Sequence, residues 1–141
     1  MFRKLKTSDV NDALKKVPMF EACTDDELQQ IMGLTSEAAV HDGQVLCREG
    51  DRGHEFFVLM DCSATLTSSD GRTVDLGPGD FFGELALLDD GPRTMTATMT
   101  SEGHVLVMTG TEFRTLLRSA PGIAVNMLAV LAARLRASEA G

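Results

Sequence analysis

The sequence has no tryptophan and no tyrosine, and its only aromatic residues are seven phenylalanines. A planar ligand bound here would find no indole or phenol ring to lie against. Aliphatic groups, a second subunit or solvent would have to cover it. Histidine is equally scarce. His41, His54 and His104 are scattered and form no H-x-H or H-x-x-x-H pair. A metal-dependent barrel enzyme needs several histidines and a carboxylate converging from adjacent strands, so a cupin-like enzyme is disfavoured and no metal is expected. No Ser/Cys–His–Asp arrangement is visible, and the chain is not expected to be an enzyme. Cys23, Cys47 and Cys62 are odd in number and lack metal-type spacing. They read as free thiols of a reducing cytoplasm. There is no long apolar run, so no membrane span is expected. Met1-Phe2-Arg3-Lys4-Leu5-Lys6 has no apolar segment behind it and does not read as a signal peptide. Positive charge is the minority sign: 13 Lys and Arg stand against 21 Asp and Glu, for a formal charge of −8. That balance opposes phosphate backbones at long range. Nucleic acid is not expected as a direct partner, and an anion would have to be held by local donors.

What is present suffices for one domain with a real core: 141 residues, 43% of them hydrophobic. Ser8 to Lys16 reads as a short helix ended by Pro18, with Val10, Leu14 and Val17 on one side. Thr24-Asp25-Asp26-Glu27 is a capping box, and Leu28, Ile31 and Met32 then fall on one helical face. From Ala38 the periodicity shifts to that of strands. Val40, Val45-Leu46-Cys47 and Phe56-Phe57-Val58-Leu59-Met60 read as strands, with Gly43, Gly50 and Gly53 at the turns. The five-residue apolar run implies cover on both faces. Ala64 and Leu66 alternate with threonines, Asp70-Gly71 signals a hairpin, and Val74 and Leu76 alternate on the return. Thr94–Met99 and His104–Thr109 complete the set. Short strands at this spacing predict a mainly β fold: an eight-stranded β-roll, a jelly-roll-like barrel, with helices before and after it.

The stretch Phe81-Phe82-Gly83-Glu84-Leu85-Ala86-Leu87-Leu88-Asp89-Asp90-Gly91-Pro92-Arg93-Thr94 is hard to read as ordinary core. Gly83 opens a short apolar run able to make one or two helical turns. The first N–H groups of such a turn attract an anion, and a residue without Cβ allows close approach of a ligand. Glu84 places a carboxylate at the same spot, which suits a ligand hydroxyl. Pro92 stiffens the approach to Arg93, whose planar fork matches a phosphate. Together they suggest a sugar phosphate.

F-G-E-L-A-L-L-(x)4-P-R-T closely resembles the phosphate-binding cassette of cyclic nucleotide-binding domains, found in kinase regulatory subunits, gated channels and bacterial cAMP receptor activators. The likeness extends to Gly50-Asp51, to Gly77-Pro78-Gly79-Asp80 and to helices at both ends, covering roughly Pro18 to Ser138. It implies that Glu84 binds the ribose 2′-OH and Arg93 the cyclic phosphate. Backbone groups of Gly83, Leu85 and Ala86 would complete the cradle, with both side chains at the pocket surface. By the same resemblance the chain is a single cyclic nucleotide-binding domain. It would have an N-terminal helical segment over 1–36, a β-roll over 37–110 with the cassette at 82–94, and C-terminal helices over 111–141. The ligand would be cAMP, or else cGMP, with no other cofactor. The domain would act as a regulatory sensor that signals to an unidentified effector protein through its C-terminal helices. The alternative is an interaction module of the same fold that no longer responds to ligand. The family commonly has Gly in the turn after the third strand, where this chain has Asp61-Cys62-Ser63. A positive φ at Cys62 would cost about 1 kcal/mol.

The base is left open. Thr94 could bond the phosphate or a guanine amino group, or simply start a strand. Ser138 falls roughly where bacterial activators touch adenine. Thr111 is expected to cap a helix through Leu117, and Ile123 to about Glu139 forms the last helix. Arg134 and Arg136 suit its C-terminus. Ala124, Leu128, Leu131, Leu135 and Ser138 recur at 4-3-4-3 spacing. That face either packs on its own barrel or forms the seam of a homodimer.

Overall fold

The structure is a computed structural model. It describes residues 2–3 and 14–140, and the side chains of 14–137. The helix expected over Ser8–Lys16 therefore lies outside the described residues as far as residue 13, and so does Val10. Leu14 and Val17, at its end, are buried. A 3-10 turn, Pro18–Phe20, follows.

The strands are β1 (Phe2–Arg3), β2 (Ser36–Val40), β3 (Val45–Cys47), β4 (Glu55–Leu59), β5 (Ala64–Thr67), β6 (Thr73–Leu76), β7 (Phe81–Phe82), β8 (Thr96–Met99) and β9 (Gly103–Thr109). They form two antiparallel sheets, ordered β1-β2-β9-β4-β7 and β3-β8-β5-β6. The eight strands β2 to β9 make the expected roll, and the two-residue β1 pairs with β2 at the edge. The helices are α1 (Asp25–Leu34), α2 (Glu84–Leu88), α3 (Gly110–Ser119) and α4 (Pro121–Ala140).

The apolar run of β4 is covered on both sides because successive strand side chains point to opposite faces. Phe57 and Leu59 enter the roll interior with Val40, Ala64, Leu76, Phe82, Ala97 and Met99. Phe56 and Val58 face outward into a second cluster with Phe20, Leu28, Ile31, Phe113, Leu116 and Met127 from the helices. β9 divides likewise: Val105 and Val107 point inward, Leu106 and Met108 outward. Phe81 and Phe82 carry the division up to the cassette. Phe82 stacks on Phe57, centroids 4.9 Å apart, while Phe81 meets Phe56 at 5.6 Å. The cassette is thus anchored in both cores by adjacent residues.

Helix starts follow local chemistry. The Thr24 hydroxyl accepts from the Glu27 amide and Glu27 accepts from the Thr24 amide, completing the expected capping box. The cap of α3 is Thr109, not Thr111. Thr109 and Glu112 make a second reciprocal capping box, and Thr111 lies within the first turn. α4 starts at Pro121, ahead of the expected Ile123, since proline suits the first turn of a helix.

The turn at Asp61-Cys62-Ser63 needs no left-handed residue. Among the described residues Asp90 is the one non-glycine with positive φ. Asp61 accepts from the His104 amide at 2.6 Å and the Cys62 thiol donates to the His104 carbonyl at 3.3 Å. The glycine this corner requires stands across from it: a Cβ on Gly103 would lie 2.6 Å from Asp61 Oδ1 and Cys62 Cβ.

Candidate functional site

Gly83 is the N-cap of α2 with φ 94, a conformation that favours glycine. A Cβ there would also lie 2.7 Å from Arg93 Nη1 and 2.9 Å from the Glu55 carbonyl oxygen. Gly53 is required for the same reason, since its Cβ would meet Arg93 Nε at 2.8 Å and Ala86 Cβ at 2.6 Å. Two glycines therefore make the space that the Arg93 side chain occupies.

Arg93 is 6% exposed. Its Nη1 donates to the Gly83 carbonyl at 3.1 Å and its Nη2 to the Glu55 carbonyl at 2.8 Å. Its backbone is clamped as well: Arg93 N–H donates to the Asp51 carbonyl and Gly50 N–H to the Arg93 carbonyl, both at 2.8 Å. The resembled Gly50-Asp51 pair thus holds the arginine in place. Among the described residues no carboxylate lies within ion-pairing distance of the Arg93 guanidinium. A buried cation satisfied by two neutral carbonyls and by the face of the Phe57 ring at 5.9 Å retains its need for an anion.

Glu84, the first residue of α2, is 4% exposed. Glu84 and Arg93 both face the cavity and are almost wholly removed from bulk solvent. Burial pushes the Glu84 carboxyl above its ordinary range, opposed by its own amide and by the charges of Arg134 and Arg93. The partner of Glu84 is an arginine whose sequence position suits a helix C-terminus. Arg134 of α4 pairs with Glu84 Oε1 at 3.5 Å, donates to the Phe81 carbonyl at 2.7 Å and stacks over the Phe81 ring at 4.6 Å.

These groups line a cavity of about 790 Å³. Gly83, Glu84, Leu85, Ala86 and Arg93 form one end of it, and Thr94 also lines it from an exposed position. Every cassette residue singled out in the sequence is therefore brought together. The side chain of Ser138 lies outside the described residues; Ala137, next to it, reaches the cavity wall. The rest of the wall carries no local signal in the sequence. Arg72 comes from the β5–β6 connection and Thr73 and Val74 from the start of β6, while Cys47 of β3, Leu66 of β5 and Met95, just ahead of β8, contribute from the rest of the second sheet. Leu131 and Leu135 of α4 close over the top, so the cover is aliphatic.

The charges in the cavity have a simple balance. Arg134 is paired with Glu84. Arg72 is paired with Asp70 at 3.0 Å. The Asp70 carboxyl is held down to about 2 by the Ser68 hydroxyl and Arg72. Of the three lining guanidiniums, Arg93 alone lacks a carboxylate partner among the described residues, leaving the cavity one positive charge in surplus.

Comparison with known proteins agrees with this geometry. The model of the cyclic nucleotide-binding domain matches residues 37–120. A cyclic nucleotide-gated potassium channel of Rhizobium etli is 33% identical over 108 residues, covering 77% of this chain and 30% of the channel. A cAMP-dependent protein kinase regulatory subunit of Hypocrea atroviridis is 33% identical over 110 residues, covering 78% of this chain and 24% of the subunit. The chain thus spans less than a third of the length of these relatives. Among solved structures, the Thermus thermophilus catabolite activator protein superposes with a TM-score of 0.75 at 28% identity, over 86% of this chain and 60% of that one. With the match of residues 37–120, the two-sheet roll and the glycine-framed arginine at the head of α2, the chain belongs to the cyclic nucleotide-binding domain family.

Proposed function

We propose that the cavity binds a cyclic nucleotide, cAMP in preference to cGMP, and that the domain is a sensor without catalytic activity of its own. The observation that carries this reading is Arg93: a buried guanidinium, unpaired with any carboxylate among the described residues, at the N-terminus of α2. A surplus of one positive charge matches a cyclic phosphodiester, which carries one negative charge. A phosphomonoester carries about 1.5 to 2 and fits less well. Arg93 takes the phosphate, together with backbone groups of Gly83, Leu85 and Ala86. Glu84 accepts from the ribose 2′-OH. Thr94 lies beside the phosphate on the way to the base. The preference for cAMP draws on the relatives, which include cAMP-dependent kinase regulatory subunits and a cAMP receptor protein.

Signalling runs through α4. Arg134 joins that helix to Glu84 and to Phe81. A ribose hydroxyl arriving at Glu84 changes what Arg134 is paired with, and the nucleotide meets Leu131 and Leu135 directly. Ligand therefore shifts the helix between two positions by making different contacts in each. The outward face of α4 carries Val125 and Leu128, 64% and 63% exposed, and offers itself to an effector protein or a second copy. The same face favours the second reading, an interaction module that does not respond to ligand. Calorimetric titration with cAMP, cGMP and 5′-AMP separates the two. Binding of a cyclic nucleotide with 5′-AMP much weaker is expected. Absence of binding by either cyclic nucleotide overturns the proposal in favour of the interaction module.

A further inference from the structure

The wall of the cavity includes Arg72, the last residue of the β5–β6 connection, and Thr73 and Val74 at the start of β6. β6 is an edge strand, bonded within its sheet to β5 alone. The five residues joining β5 to β6, numbers 68–72, stand exposed or half-exposed. Left to itself such a hairpin tip is a mobile rim. Inside the tip the bonds are local: Ser68 Oγ and Arg72 Nε both reach the Asp70 carboxylate.

One contact leaves the tip. The Ser69 amide donates to Glu49 Oε1 and the Ser69 hydroxyl to Glu49 Oε2, both at 2.7 Å. The carboxylate is gripped by both oxygens, the geometry of a strong charge-assisted pair of bonds. Among the described residues these are the side-chain bonds that tie the tip to another part of the molecule. Glu49 is itself fixed at the backbone. Its amide donates to Thr96 Oγ1 at 3.0 Å, and the next residue, Gly50, donates to the Arg93 carbonyl at 2.8 Å. Residues 49–51 therefore hold Arg93 through main-chain bonds and hold the hairpin through one side chain.

We propose that Glu49 is a positioning residue for the base end of the cavity, clamping the β5–β6 hairpin at a fixed distance from Arg93. This rests on the reading that a cyclic nucleotide occupies the cavity with its phosphate on Arg93. The phosphate and ribose then contact groups that do not depend on the Glu49 side chain. The base, reaching across the cavity, contacts the wall that does.

Glu49→Ala leaves the backbone bonds of residues 49–51 in place and releases the tip. Three measurements test the idea. Hydrogen exchange of amides 68–72 in ligand-free protein should speed up in Glu49→Ala. The Kd for cAMP should rise about 3- to 10-fold, the equivalent of one exposed charge-assisted hydrogen bond. The Kd for base-free ribose 3′,5′-cyclic phosphate should stay unchanged. Glu49→Gln, which keeps one acceptor, should recover part of the cAMP affinity. Equal weakening of both ligands, or a large drop in melting temperature, assigns Glu49 a merely structural role and overturns the proposal. Unchanged cAMP affinity with unchanged exchange overturns it too. If native protein binds neither ligand, the nucleotide reading fails and positioning of a base fails with it, while exchange at residues 68–72 still decides whether the clamp exists.

Discussion

Arg93→Ala separates what this side chain does for the ligand from what it does for the fold. In the native protein the guanidinium is 6% exposed and spans the Gly83 and Glu55 carbonyls. Truncation strips the cavity of its unmatched positive charge. A charge-assisted pair with a phosphodiester contributes about 2–4 kcal/mol, so cAMP affinity should fall roughly 30- to 1000-fold. The stability of the empty protein responds to two opposing changes. The two carbonyls lose donors, at about 1.5–3 kcal/mol for each hydrogen bond to a charged group. Against this, a buried cation without a carboxylate partner is no longer held out of water. These offset, and the ligand-free melt should stay cooperative. Arg93→Lys keeps the charge but offers no planar fork to bridge two carbonyls, so it should recover only part of the affinity. The assay is calorimetric titration of the three proteins with cAMP, beside thermal melts without ligand. Equal affinity in native protein and Arg93→Ala, with all melts intact, would refute the assignment. The glycine-framed arginine would then be a structural strut.

Glu84 gives a pH-dependent prediction: its carboxyl is raised, chiefly by burial, so it holds its proton more tightly folded than unfolded. Its contribution to stability is full below the ordinary carboxylate range and is lost as pH rises through the raised value. Glu84→Gln should therefore melt higher than native at pH 7, with the gap closing in acid; a gap independent of pH would contradict this. The same variant should bind cAMP weaker by about 1–2 kcal/mol and 2′-deoxy-cAMP with little change, read by titration. Thr94→Ala should weaken cGMP by about 1 kcal/mol more than cAMP if the hydroxyl serves the base; equal losses would give it to the phosphate. Leu128 is 63% exposed, so Leu128→Glu should abolish self-association in sedimentation while leaving the monomer folded; monomer at tens of micromolar in native protein would remove the dimer. Leu131, which packs on the core and lines the cavity, is the poorer probe of that interface. Thr109→Ala should cost about 1 kcal/mol in denaturant unfolding by loss of the α3 cap, and Thr111→Ala much less.

The sequence by itself determined what short-range chemistry controls. Period-two runs place the strands, because alternate side chains must find opposite faces. Thr24 and Glu27 mark a helix start, because the capping box spans three residues. Gly83 marks a place of close backbone approach, and the cassette over 82–94 arrives as a unit because its parts are neighbours in the chain. The α3 cap was legible in the same way, in Thr109 and Glu112, although Thr111 competes for the role on composition alone. Tertiary structure decided what depends on chain segments far apart. Arg134 lies 50 residues beyond Glu84 in the chain, and only the docking of α4 makes it a pocket residue rather than a helix-end charge. Arg72, Thr73 and Val74 look like ordinary hairpin residues until the roll closes and puts them on the wall of the cavity that Arg93 also lines. Gly103 takes over the glycine requirement expected at Cys62, because the corner relieves its crowding on β9 rather than in its own backbone. Side-chain pattern encodes faces and caps locally. Which faces meet is set by the closing of the two sheets and by the crossing of α4 over the cavity, and no local spacing records that.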